Sequence, residues 1–254
     1  VGLIGAGNMA RALARGWGEP ILCSDGGSGR AQELVAEVGG EALSSNREVA
    51  ERADLVVLCH KPYQLDQVAG EIAGTAKAVA SVLGGVSTGL LQQAYPDTPV
   101  FALQPNTPVE IRRGVIVYAE RPLTGAANHP PADPDLEPMV LELFGRLGTV
   151  VRLPEALVEV ASTLSAVGPA YEALLTEAQV DAGVRRGLPA ALASQLVVET
   201  MAGTAALLAH RGYDTLAVRR EVTSPGGVTA RGLAALEKAG IRGAFQNAID
   251  AIVP

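Results

Sequence analysis

The chain has 254 residues, 48% hydrophobic and 19% charged, enough for one large or two ordinary domains with sizeable cores. A formal net charge of −7 and a pI near 5.1 argue against a nucleic-acid or anionic-membrane surface. No signal peptide and no apolar run long enough to span a bilayer is visible. Two cysteines inside apolar strand-like runs, Cys23 and Cys59, point to a reducing, cytoplasmic setting and not to a disulfide framework.

The chain opens directly in a strand without an initiator Met, so a few residues are expected to precede it. Val1 to Ile4 is a short apolar run that leads into Gly5-x-Gly7-x-x-Ala10, with an Ala/Leu-rich helix following to Trp17. Strand, tight turn and helix start form the context that a dinucleotide fingerprint requires. Gly5 permits the turn, Gly7 has no side chain to hold a pyrophosphate away, and Ala10 lets helix and strand pack closely. The phosphates would face the free N–H groups of the first helical turn.

Pro20 to Asp25 is the next expected strand. Asp25 lies where Rossmann folds often place a ribose-binding carboxylate, and a solvated turn residue before Gly26-Gly27-Ser28-Gly29 is the other reading. Ser24, Ser28 and Arg30 can ring a 2′-phosphate, which favours NADPH, with NAD possible because of Asp25. Gly39 closes the following helix, and Ser44-Ser45-Asn46 caps a short one through Arg52.

Asp54 to Cys59 reads as a buried strand ended by His60-Lys61-Pro62, at the sheet edge where ligands bind in open α/β folds. His60 is the nearest candidate for a general acid, against a strand-end residue whose backbone lines the pocket. Lys77 to Leu83 is another strand, followed by Gly84-Gly85 and a Ser87-capped helix through Tyr95. Pro99 to Leu103 and Gly114 to Tyr118 are further strands, and Gln104 to Pro108 between them is a rigid turn expected to present polar groups. Pro122 to Pro134 reads as an exposed loop, with no role for His129. A helix from Leu136 to Leu147 and a strand from Thr149 to Leu153 complete a doubly wound, mostly parallel α/β domain over residues 1–153.

From Pro154 the β-branched runs disappear. Helices are expected over 155–165, 169–185, 189–208, 214–221, 228–239 and 241–252, a second domain over 154–254. Before the fifth of these stands Glu221-Val-Thr-Ser-Pro-Gly-Gly-Val-Thr-Ala230. Thr223 or Ser224 could cap that helix, and Gly226-Gly227 leave its backbone N–H groups bare for a carboxylate or phosphate. Thr229, one turn in, could offer a hydroxyl to the same ligand. In the third helix Leu192, Ala193, Leu196, Thr200, Gly203 and Ala206 fall near one face, which suggests an interlocked homodimer.

GLIGAGNMA, HKP after an apolar strand, GGVS, PNTP, Ser165 to Tyr171, DAGVRRGLP and EVTSPGGVT together resemble the pyrroline-5-carboxylate reductase family, in order along nearly the whole chain. The resemblance implies NAD(P)H-dependent reduction of 1-pyrroline-5-carboxylate to L-proline, without a metal. It also implies a Rossmann domain and an all-α dimerisation domain, with the site formed between subunits of a homodimer or larger oligomer of dimers. Ser224, Gly226 and Gly227 would hold the substrate carboxylate, and Thr229 would hydrogen-bond the ring nitrogen as the catalytic residue. Gly5, Gly7, Asn8 and Met9 would border the pyrophosphate and Asn46 the adenosine. Lys61 and Pro62 would line the nicotinamide side, with Asn106 nearby.

There are departures: Ala102 and Gln104 stand where the family usually has Arg and Met, and Ala166 and Val167 where it has Gly and Ser. Two other readings compete. One is a 6-phosphogluconate- or 3-hydroxyacid-type dehydrogenase, which needs an acid/base lysine where the helical domain has only Lys238. The other is a nucleotide-binding regulatory protein with lapsed catalysis.

Overall fold

The computed structural model describes residues 1–120 and 135–253, so the expected loop at 122–134 with His129 lies outside the described residues. The chain forms two compact units, Val1–Pro169 and Ala170–Pro254.

The first unit alternates strands and helices: β1 (Gly2–Ile4), α1 (Asn8–Trp17), β2 (Ile21–Ser24), α2 (Arg30–Val38), β3 (Gly40–Ala42), α3 (Asn46–Arg52) and β4 (Val56–Leu58). It continues with α4 (Leu65–Ile72), β5 (Val79–Ser81), α5 (Thr88–Ala94), β6 (Val100–Pro105), β7 (Gly114–Glu120), α6 (Leu136–Gly145), β8 (Gly148–Pro154) and α7 (Val158–Ser165). The strands make one sheet in the order β3-β2-β1-β4-β5-β6-β7-β8. All pairs are parallel except β6 with β7. The order reverses between β1 and β4, the switch point at whose carboxyl edge such folds bind ligands.

Strand alternation builds the core on both faces. Leu3, Val57, Ala80 and Phe101 stand side by side across β1, β4, β5 and β6 and belong to one buried cluster. Their neighbours Ile4, Val56, Leu58, Val79 and Val100 belong to the other. Both faces are therefore covered, as a parallel sheet requires. Ser45 and Ser87 cap α3 and α5 as the sequence indicates, accepting from the N–H groups of Glu48 and Leu90.

The carboxyl end of α1 is seated without clearance. A Cβ on Gly16 would run into the Val109 carbonyl and the Leu147 side chain. Arg112, held at φ 59°, donates from Nε to the Gly16 carbonyl at 2.7 Å. Arg15 pairs with Glu37 at 2.6 Å and Glu110 at 2.9 Å, while Trp17 stacks edge-on against Phe144.

The second unit is helical: α8 (Gly168–Val184, starting at the boundary), α9 (Ala190–His210), α10 (Thr215–Glu221), α11 (Val228–Lys238) and α12 (Ile241–Asp250). Gly187 at φ 98° and Pro189 separate α8 from α9, the helix-end glycine and helix-start proline expected. Among its described residues only Ala193 and Val218 are buried hydrophobics. Two expectations need correction here. The 21 residues of α9 are long and apolar enough to cross a bilayer by length and composition, because the helix is apolar nearly all round. In the expected stripe only Ala193 departs, being buried beside Gly183 of α8, while Leu192 and Leu196 are 44% and 51% exposed, as expected of a single chain.

Candidate functional site

At the switch point the first unit carries a cleft of about 970 Å³. Gly5, Gly7, Asn8 and Met9 line it from the β1–α1 turn, Ser24 and Asp25 from the end of β2, Asn46 from the start of α3, and Lys61 and Pro62 from the end of β4. Nine of the ten residues expected at the cofactor thus share one cleft.

The turn fits a pyrophosphate. Gly5 sits at φ +100°, and a Cβ there would lie 2.7 Å from the Cys59 carbonyl carbon and 2.8 Å from the His60 nitrogen. Glycine is required at that position by backbone conformation and by space. A Cβ on Gly7 would meet nothing within 4 Å, so this glycine leaves room for something outside the chain. No side chain caps α1, and its first turn holds no acidic residue. Bare N–H groups and the positive end of the helix dipole therefore face the opening, a cradle that suits phosphate oxygens.

Asp25 is turned onto its own loop. Its Oδ1 accepts from the N–H groups of Gly27 (2.9 Å) and Ser28 (3.2 Å). Its Oδ2 accepts from the Ser28 hydroxyl (2.7 Å) and the Ala31 N–H (2.9 Å). A carboxylate offers about four acceptor sites, so the loop engages them all and none remains for a ribose diol. The loop conformation makes this possible, since Gly26, Gly27 and Gly29 all have positive φ. Partial burial works to raise the Asp25 pKa, but the hydrogen bonds from Ser28, Ala31, Gly27 and Arg30 outweigh it and hold the group below its usual range. A depressed folded pKa stabilises the fold above the unfolded value near 4 and loses that contribution as pH falls through the folded value. Asp25→Asn is therefore expected to lower the thermal midpoint at pH 7, with the gap to wild type closing at acid pH. A gap that stays constant from pH 7 to pH 3 would show that the carboxylate does not hold the loop.

His60 also lines the cleft. Its Nδ1 lies 2.9 Å from the Lys61 carbonyl and so carries the proton, leaving Nε2 as a buried acceptor without a partner among the described residues. Burial pushes its pKa down, against the pull of the Lys61 carbonyl and Glu71. A neutral imidazole with its proton engaged does not suit a general acid, so the strand-end reading is the better one.

Asn106 does not line the cleft. It is buried; its Oδ1 accepts from the Val115 N–H at 2.8 Å and its Nδ2 donates to the Ser165 carbonyl at 3.1 Å. The turn expected to present polar groups instead turns this one inward, tying β7 to the end of α7. Gln104, one of the departures, donates to the carbonyl of Leu83 at 2.9 Å, and Leu83 borders the cleft.

The second unit holds Ser224, Gly226, Gly227 and Thr229 around the start of α11. Neither Thr223 nor Ser224 caps that helix. Thr223 donates its hydroxyl back to the Arg219 carbonyl at 2.6 Å, and the N-cap is Gly227, without a side-chain bond. Ser224-Pro225-Gly226-Gly227 closes as a turn, with the Gly227 N–H donating to the Ser224 carbonyl at 3.0 Å and Gly226 at φ 68°. Proline followed by a left-handed glycine is the pattern of a type II turn. A Cβ on Gly227 would collide with the Ser224 hydroxyl, so the glycine keeps that hydroxyl beside the bare helix start. Like α1, α11 has no acid in its first turn. The hydroxyls of Ser224 and Thr229 have no hydrogen-bond partner among the described residues.

Residues 155–254 match the family model described as pyrroline-5-carboxylate reductase dimerisation, and residues 1–85 one described as NADP oxidoreductase, coenzyme F420-dependent. A pyrroline-5-carboxylate reductase of Synechocystis is 35% identical, over 99% of this chain and 94% of that protein. The crystal structure of the Streptococcus pyogenes 1-pyrroline-5-carboxylate reductase superposes with a TM-score of 0.87 at 26% identity, covering 99% and 95% of the two chains. The Plasmodium falciparum pyrroline carboxylate reductase, solved with NADP bound, superposes with a TM-score of 0.83 at 27% identity, covering 99% and 94%.

Proposed function

Because the chain belongs to the pyrroline-5-carboxylate reductase family, we propose that it reduces 1-pyrroline-5-carboxylate to proline, an oxidoreductase acting on a cyclic imine with NADP as its cofactor. The observation that carries this is a likeness to such reductases that runs through both units and nearly the full length of each relative. Bound NADPH supplies the hydride that reduces the imine carbon.

The residues of the chain bind and orient. Gly5 sets the turn, while Gly7, Asn8 and Met9 present the N-terminus of α1 to the pyrophosphate. Asn46 meets the adenosine portion, and Lys61 with Pro62 borders the nicotinamide portion. Asp25 shapes its loop, and Arg30, whose guanidinium has no ion pair among the described residues, is the cation for a 2′-phosphate. The Ser224 hydroxyl and the Gly226 N–H hold the substrate carboxylate, with Gly227, whose own N–H closes the turn, leaving the approach to the helix start open. Thr229 keeps its hydroxyl for the ring nitrogen, whose protonated form is the better hydride acceptor. The acid/base lysine of an alcohol dehydrogenase has no good counterpart, since Lys238 is the exposed last residue of α11.

We further read the protein as a homodimer, or an oligomer of dimers, acting in the cytoplasm. Support for the first is the exposed apolar surface of α8 and α9 within the region matched by the dimerisation model. Support for the second is a pair of free cysteines, one of which, Cys23, is buried and pushed up to about 12 by that burial.

The purified protein is expected to oxidise NADPH only when 1-pyrroline-5-carboxylate is added, followed by the loss of absorbance of the reduced cofactor. Binding of cofactor without turnover across neutral pH would favour a regulatory protein instead.

A further inference from the structure

The cofactor cleft has a carboxylate that no sequence motif selects, Glu71 on α4. The Ser24 hydroxyl lies 2.6 Å from Asn46 Oδ1, and Asn46 Nδ2 lies 2.6 Å from Glu71 Oε2. Gln67 donates to the other Glu71 oxygen at 3.1 Å. All four side chains line the cleft.

The row has a direction, and Glu71 sets it. A carboxylate only accepts, so Asn46 must turn its NH₂ toward Glu71 and its oxygen toward Ser24. Ser24 must then donate. Without Glu71 the amide has no such instruction, because a hydroxyl meets either end of it by donating or accepting. We propose that Glu71 is a positioning residue for the cofactor, holding the Asn46 amide in one orientation and thereby fixing which groups of the cleft donate and which accept. Ser24 then offers the ligand lone pairs only, while Asn46 retains one N–H and part of its carbonyl. The Ser28 hydroxyl donates to Asp25, so among Ser24, Ser28, Arg30 and Asn46 the side-chain donors left for a 2′-phosphate are the Asn46 N–H and Arg30.

This rests on the cofactor reading given above. It also has a sign that separates it from a simple charge effect. A carboxylate repels the phosphates of a dinucleotide, so a Glu71 that acted through its charge would weaken binding, and its removal would tighten it. A Glu71 that acts through Asn46 strengthens binding, and its removal loosens it.

The test is the NADPH dissociation constant of the full chain, titrated by fluorescence, alongside steady-state kinetics and the thermal midpoint without cofactor. Glu71→Ala is expected to raise the dissociation constant about tenfold, as loss of a charge-assisted hydrogen bond does, with the loss falling on NADPH KM and not on kcat. Glu71→Gln can meet Asn46 with either end of its amide, so it no longer imposes the direction and is expected to fall between wild type and Glu71→Ala. Asn46→Ala should weaken binding, and adding Glu71→Ala to it should weaken it no further, since coupled residues are not additive. Asn46→Asp sets two carboxylates face to face and removes the Asn46 N–H; adding Glu71→Gln restores a donor opposite an acceptor and should recover the part of the loss owed to the facing carboxylates, a comparison that stands even where Glu71→Ala does not fold. Unchanged or tighter binding by Glu71→Ala, full additivity with Asn46→Ala, or no recovery in the Asn46→Asp pair would each overturn the proposal. A wild-type chain that binds neither NADPH nor NADH would overturn the cofactor reading itself.

Discussion

Thr229→Ala is expected to lower kcat by about 10²–10⁴-fold while leaving the NADPH dissociation constant within about threefold of wild type. The substitution removes one hydroxyl from the first turn of α11, where it has no hydrogen-bond partner among the described residues. Val228 and Thr229 begin the helix and Gly227 caps it, so the change leaves the turn geometry and the Gly226 φ of 68° untouched. The loss should therefore fall on the step in which the ring nitrogen needs a partner. Thr229→Ser, which keeps the hydroxyl, should recover most of the rate. Steady-state kinetics with 1-pyrroline-5-carboxylate decide it: a change below threefold in both kcat and substrate KM for the alanine variant would remove Thr229 from the chemistry.

Leu196→Glu is expected to abolish assembly. A helical unit whose described residues bury only Ala193 and Val218 among hydrophobics has too little interior to stand as a free surface. Leu196 is 51% exposed on α9, and a partner that covered it would have to bury an unpaired carboxylate in the variant. The wild-type protein should sediment at twice the 26.1 kDa chain mass or a multiple of that, with an interface well above the roughly 1,600 Å² of a standard complex. The variant should appear as a monomer with reduced helicity, or as aggregate. A folded, active wild-type monomer at low micromolar concentration would defeat the expectation.

The fold was largely legible because its signals are local. Glycine and proline at helix ends, Ser45 and Ser87 as caps, and apolar runs for β1, β4 and β5 mark element limits to within a few residues. Gly40–Ala42 shows no strand pattern, since its Gly-Glu-Ala sits at the sheet edge and is held by pairing with β2. The helix α4 went unassigned from the sequence, although Leu65, Val68, Ala69 and Ile72 carry the helical spacing that could have found it, with Gln67 and Glu71 on its other side.

The cofactor cleft was legible where backbone does the work, as at Gly5 and Gly7, and less so where side chains choose partners. Asp25 stands where a ribose ligand belongs, yet four donors of its own loop engage it. Thr223 has the chemistry of a cap but bonds backwards to Arg219, and Asn106 in a polar turn faces inward. Residue type states what a group can bond; only the fold brings one partner closer than another.

The seat of Gly16 under the Val109 carbonyl also bears on how this sequence can change over generations. Every single-base change of a glycine codon that alters the residue introduces a Cβ or a stop. Position 16 therefore has no conservative neighbour: drift there waits on prior movement of the segment around Val109 or of the Leu147 side chain. A helix whose first turn lines the cleft is in this way kept in place from its far end, by a residue that does not itself line it.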